Sequence, residues 1–232
     1  MKIVSFKICP FVQRVTTLLE AKNISYEVEF ISLSDKPQWF LDVSPNGQVP
    51  ILITDNDITL FESDAIIEYL EEKYIPLQKK LTPEQKAINR AWSYLATKNY
   101  LVQCSAQRSS DKQSLIEKSK KLNKAFDTIE KEVGKFKYFN SDTIGMVDIA
   151  WLPILHRAKI IERESGYDFL KNRPNIKKWQ SIMLKTGLAE KSVSKDFEEK
   201  FINFYLSDKT YLGGNKKVSA CGNTVSSNSC GC

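Results

Sequence analysis

The chain carries one histidine, His156, in 232 residues. Any Ser-His-Asp or Cys-His arrangement would have to draw on that single side chain, and a histidine-built zinc site lacks ligands. No uninterrupted apolar run approaches the length a bilayer-spanning helix needs. The first residues pass straight into a strand pattern that Cys9 cuts short, so no secretory leader is expected. Cysteine is sparse and unevenly placed, at Cys9, Cys104, Cys221, Cys230 and Cys232. An odd count without regular spacing excludes a disulfide-stapled secreted scaffold, and the expected location is the cytoplasm. Neither sign of charge dominates. The 34 Lys and Arg outweigh 28 Asp and Glu by +6, spread along the chain. The lysine-rich stretch 117–121 reads as the solvated face of a helix. Without basic motifs interleaved with aromatics, nucleic-acid binding is not expected.

What is there is apolar residue enough, 42%, to bury one large core or two small ones. Elements can be read in order from residue pattern. Residues 2–5 form a strand, and a helix follows with a stripe of Val12, Val15, Leu18 and Leu19. Residues 26–31 alternate as a second strand; 34–41 make a turn; 49–53 and 58–61 pair across Asp55-Asn56-Asp57. A further helix opens at Ser63, read as its N-cap, with Asp64 in the first turn. The order β-α-β-α-β-β-α over residues 1–75 is that of a thioredoxin-like domain. Residues 76–82 read as a linker. Beyond it the pattern is helical over 83–206, with helices at 84–102, 111–133, 146–161, 174–184 and 195–206. Pro153 lies inside the third of these and should kink it. Residues 207–232 are rich in Gly, Ser and Asn and read as a flexible tail with three cysteines.

The chemistry concentrates at residues 7–14, Lys-Ile-Cys-Pro-Phe-Val-Gln-Arg. Cys9 stands at the mouth of the first helix, and Pro10 takes the first helical position, where a missing N–H costs nothing. Free N–H groups and the positive end of the helix dipole favour thiolate there. Such settings bring a cysteine pKa from about 8.5 to roughly 3.5–7.5. The plainer alternative is a buried small hydrophobe. The helix start and neighbouring Lys7 favour the reactive one. Val12 occupies the place of a second cysteine in Cys-x-x-Cys, so a mixed disulfide on Cys9 has no resolving partner within the motif. An outside thiol is required, and glutathione, a small anion suited to a mildly basic chain, meets the need.

Four pieces in order resemble one family: Cys9-Pro10-Phe11 with Gln13-Arg14-Val15, residues 34–41 (Ser-Asp-Lys-Pro-Gln-Trp-Phe-Leu), Gly47-Gln48-Val49-Pro50, and Glu62-Ser63. They resemble the cytosolic glutathione transferases, and among these the cysteine-dependent branch of the omega class and the plant dehydroascorbate reductases. The resemblance implies an α/β thioredoxin-like domain followed by an all-α domain. It implies a cis Val49-Pro50 turn whose Val49 backbone pairs with the cysteinyl part of glutathione like an added strand. Ser63 would bind the γ-glutamyl carboxylate, Glu62 the α-amino group and Lys36 the glycyl end, while Phe11 packs beside the thiol. Cys9 would be the catalytic residue, acting on a small oxidised or electrophilic substrate. The implied activity is that of a glutathione-dependent thiol transferase or dehydroascorbate reductase, with glutathione as co-substrate and weak conjugating activity. A homodimer is compatible with the family, which also includes monomers. One departure is Gly145, where the family usually has Ser or Thr three residues before Asp148. The rival is a non-catalytic binding or regulatory protein on the same fold. For the tail, Cys221, Cys230 and Cys232 could bind a soft metal, resolve Cys9 or do nothing.

Overall fold

In the computed structural model, residues 1–214 are described. Cys221, Cys230 and Cys232, and the readings made of them, lie outside the described residues.

Four strands, β1 (Lys2–Ser5), β2 (Glu27–Phe30), β3 (Ile51–Ile53) and β4 (Thr59–Phe61), form one sheet in the order β2-β1-β3-β4. β1 and β2 are parallel, with Ile3 opposite Val28. They therefore need a crossover, which helix α1 (Pro10–Ala21) supplies. β3 returns antiparallel to β1, with Ile3 opposite Leu52, and β4 closes antiparallel on β3. Alternation along β1 sends Ile3 to one face and Val4 to the other. Ile3 and Leu52 meet Val15, Leu18 and Leu19 of α1 and Ile66 and Leu70 of α3 (Ser63–Lys73). Val4 and Ile51 meet Phe40, on the short helix α2 (Gln38–Val43) that occupies the expected turn.

The second domain is helical: α4 (Pro83–Gln107), α5 (Lys112–Glu130), α6 (Met146–Ser165), α7 (Pro174–Leu184), α8 (Leu188–Lys191), α9 (Phe197–Tyr205) and α10 (Tyr211–Gly214). Thr82 and Gln85 form a reciprocal capping box at the start of α4. That helix runs five residues past its expected end, which brings Cys104 onto it. α6 passes through Pro153 as one helix span. Order continues beyond Leu206: Leu212 is buried, and the Tyr211 N–H reaches the Ser109 carbonyl at 2.8 Å. A tail beginning at residue 207 is therefore corrected; α10 docks against the helical domain. None of the described helices is long and apolar enough to cross a membrane.

The domains share their cores. Ile149 of α6 packs among the first-domain residues, while Ile8 packs in the helical core. The α6 start is fixed by Asp148, which accepts from the Gly145 N–H at 2.8 Å, the Phe139 N–H at 2.9 Å and the Trp179 indole at 2.7 Å. A Cβ on Gly145 would come within 2.5 Å of Gln78 Oε1. Gln78 is tied to Ser141 at 2.8 Å and to Asn89 at 3.3 Å. The departure from Ser or Thr thus has a physical reason: the Gln78 amide fills the space that a capping side chain would take.

Burial raises the Asp148 carboxyl to about 6, against the hydrogen bonds that favour its charge. A carboxyl raised on folding favours the folded state below its unfolded pKa, and that contribution is lost as pH rises through the folded value. Asp148→Asn, which turns an amide N–H toward the Gly145 N–H, should cost about 1–3 kcal/mol. In denaturant titrations the deficit should narrow as pH rises from 3.8 to about 6. A deficit that widens over this interval would contradict the assignment.

Candidate active site

Cys9 is the N-cap of α1, in extended conformation, with Pro10 at the first helical position as expected. Its N–H bonds the Phe6 carbonyl at 3.0 Å and its carbonyl accepts the Gln13 N–H at 3.1 Å, so the backbone around the thiol is held from both sides. The N–H groups of Phe11 and Val12 address the sulfur and favour its charged form, as a helix mouth should. They do not win. Part of Cys9 opens to a cleft, but the packing around its sulfur pushes the thiol up to about 11. The expected low-pKa thiolate is therefore corrected: desolvation outweighs two N–H groups and a neighbouring charge.

That charge is not Lys7. The Lys7 ammonium pairs with Asp196 at 2.5 Å and lies over the Phe30 ring. The cation that favours the Cys9 thiolate is Arg157 on α6, fully buried. Its Nη2 donates to the Ile8 carbonyl at 3.1 Å, and Nη1 to the Pro153 carbonyl at 2.9 Å and to Gln13 Oε1. Gln13 continues through Nε2 to His156 Nδ1 at 3.0 Å. The guanidinium also sits over the rings of Phe197 and Phe201. Among the described residues Arg157 forms no salt bridge with a carboxylate, and its Nε has no hydrogen-bond partner. Neutral acceptors satisfy its forks while its charge stays uncompensated, and burial lowers its own pKa. Burial lowers His156 to about 3, which keeps its ring neutral, and the ring stacks on Phe197.

Beside the thiol runs a groove of about 150 Å³ lined by Phe11, Asn46, Val49, Pro50, Glu62 and Ser63 among others. Five of the expected site residues thus meet in one place. The Val49-Pro50 peptide is cis. Glu62, not Ser63, is the N-cap of α3, and Ser63 is its first helical residue; this corrects the expected cap. Glu62 has φ 65°, a region sparsely used by residues with a side chain, and its carboxylate accepts from Asn46 Nδ2 at 2.9 Å. The first-turn N–H groups of α3 have no partners within the helix, which makes this end suited to an anion. Lys36 does not line the groove. Its Nζ lies over the neighbouring turn, 3.5 Å from where a Cβ on Gly47 would be.

A second and larger space, about 540 Å³, opens on the other side of Phe11. Cys9 and Cys104 both line it, with Leu101, Phe204 and Tyr205 on the apolar side and Arg108 at its rim. Phe11 belongs to both walls, and its ring meets Tyr100 edge-on at 5.0 Å. The thiol therefore faces a roomy cleft, with a narrower polar groove alongside. Asn46, Arg157 and Cys104 were not singled out from sequence for this site. Arg157 had a readable signal, an arginine within the apolar stretch 146–161.

Comparison with known proteins fits this geometry. Family models described as glutathione S-transferase N-terminal domain and C-terminal domain match residues 8–73 and 93–185. Glutathione S-transferase omega-1 of Mus musculus is 31% identical over 214 residues, spanning 90% of this chain and 87% of that protein. The chain belongs to the glutathione S-transferase family. A second relative of this transferase, probable glutathione S-transferase DHAR1, cytosolic, of Oryza sativa subsp. japonica, is 30% identical over 169 residues, 72% of this chain and 76% of that protein. The crystal structure of glutathione transferase Omega 3C from Trametes versicolor has the same fold, with TM-score 0.71, 23% identity and coverage of 84% and 89%. The protein is a glutathione transferase, an enzyme of a family whose co-substrate is glutathione.

If Arg157 is the cation acting on Cys9, Arg157→Met should move the pH profile of Cys9 alkylation to higher pH, and Arg157→Lys should hold it near wild type. Peptide-resolved alkylation rates against pH, on variants with native circular dichroism, check this. Coincident profiles for the Met variant and wild type would contradict it.

Proposed function

We propose that this transferase is a glutathione-dependent thiol transferase or reductase of the omega and dehydroascorbate reductase kind, with Cys9 as the reacting group. The observation that carries the reading is the placement of the Cys9 sulfur at the α1 mouth, separated by one ring, Phe11, from the groove of Val49, Pro50, Glu62 and Ser63. In that groove the γ-glutamyl carboxylate meets Ser63 and the first N–H groups of α3, and the α-amino group meets Glu62. The Val49 backbone pairs with the cysteinyl unit, and Lys36 meets the glycyl carboxylate from the Gly47 side.

The Cys9 thiolate attacks the glutathionyl sulfur of a small mixed disulfide. The substrate thiolate leaves, and Cys9 carries glutathione as a disulfide. A second glutathione thiolate attacks that adduct, releases glutathione disulfide and restores Cys9. Only a small fraction of Cys9 is ionised near neutral pH, yet a thiolate of high pKa is the stronger nucleophile. Turnover limited by this step should rise with pH. The cytoplasm is the proposed location, a reading in keeping with a relative named as cytosolic.

One observation favours a second reading, a binding protein without thiol chemistry: burial holds Cys9 protonated. Assays of a small mixed disulfide and of dehydroascorbate, with wild type and Cys9→Ser, separate the two. The enzyme reading expects a loss of about 10³-fold or more in the serine form, as for removal of a nucleophile. It also expects wild-type turnover that climbs through neutral pH. Equal rates for both proteins would defeat it.

A further inference from the structure

The Cys-x-x-Cys place that Val12 fills in sequence has a spatial counterpart. Cys104, on α4, lines the same cleft as Cys9, and both are free thiols. We infer that Cys104 is a second redox thiol of this site, resolving the glutathione adduct on Cys9 into a Cys9–Cys104 disulfide. This rests on the reading of Cys9 as the thiol that takes up glutathione.

Three observations place Cys104 for that role. Tyr100, one turn earlier on the same face of α4, contacts Phe11, two residues beyond Cys9, so the helix is docked against the α1 mouth. Both thiols open into one and the same cleft, so no wall stands between them. Tyr205 and Arg108 line the same cleft as Cys104.

The exchange balances without an added oxidant. Cys104 gives up its proton and its sulfur attacks the Cys9 sulfur of the mixed disulfide. The Cys9–glutathione S–S bond breaks as the Cys9–Cys104 S–S bond forms, and the departing glutathione thiolate takes up a proton. Two further glutathione molecules reduce the internal disulfide, leaving two thiols and one glutathione disulfide. Such a step would let the enzyme discharge its adduct before the next glutathione arrives. It would also leave the groove free for that glutathione.

The test uses the full chain with Cys221, Cys230 and Cys232 changed to serine, so that only Cys9 and Cys104 remain. Reduced protein is mixed with glutathione disulfide, acid-quenched over time and weighed intact, then digested. The relay predicts a transient gain of one glutathionyl group, followed by its loss with two hydrogens missing from the protein. A peptide joining Cys9 to Cys104 should accompany that loss. Cys104→Ser and Cys104→Ala should each hold the glutathionyl group on Cys9. An adduct equally persistent with and without Cys104 would overturn the relay and leave Cys9 chemistry standing. No uptake on Cys9 in either Cys104 variant would overturn both.

Discussion

A single buried guanidinium joins the two halves of this enzyme beside Cys9. Arg157 comes from the helical domain, and its hydrogen bonds end on the Ile8 carbonyl, the residue before Cys9, and on Gln13 one turn into α1. A buried charge without a carboxylate partner is costly, and removing its neutral acceptors would be costlier still. The loop before Cys9 is thereby tied to the docking of α6. The same charge interacts with Cys104, Tyr205, Cys9 and Tyr100.

Around that tie the thiol is subject to opposed forces. The helix mouth and Arg157 favour the anion; the apolar packing of Phe6, Ile8 and Phe11 disfavours it, and packing prevails. The outcome is a sulfur that is mostly a thiol at rest and a strong nucleophile once ionised. A permanently ionised cysteine would be a better leaving group from its own mixed disulfide; each of its thiolates would attack more weakly, but far more of them would be present at neutral pH.

Local signals made much of the fold legible. The alternation at β1, the helical stripe of α1, Pro174 at the start of α7 and the Asp148 cap all depend on neighbours a few residues away. Strand ends shifted by one or two residues, because pairing partners decide where a ladder stops. What could not be read depends on distant contacts. The α4 end, and with it Cys104, is set by packing against α5 and α6 and not by a stop signal. The Gly145 substitution became intelligible only with Gln78 in place, 67 residues away in the chain. In the site, Phe11, Val49, Pro50, Glu62 and Ser63 were legible as a group through their family motifs. Arg157 lies within the apolar stretch 146–161, but nothing in the sequence says which groups its guanidinium meets. The sign of the Cys9 shift was misread because a helix terminus is a local feature, whereas desolvation is summed over both domains.

The most direct test is a spectroscopic titration of the Cys9 thiol itself, taken as the thiolate absorbance difference between wild type and Cys9→Ser over a wide pH range. The balance of burial against Arg157 and the α1 N–H groups predicts a midpoint well above the ordinary 9.0, toward about 11. A midpoint at or below neutrality would contradict it, and would return control of the sulfur to the helix mouth alone.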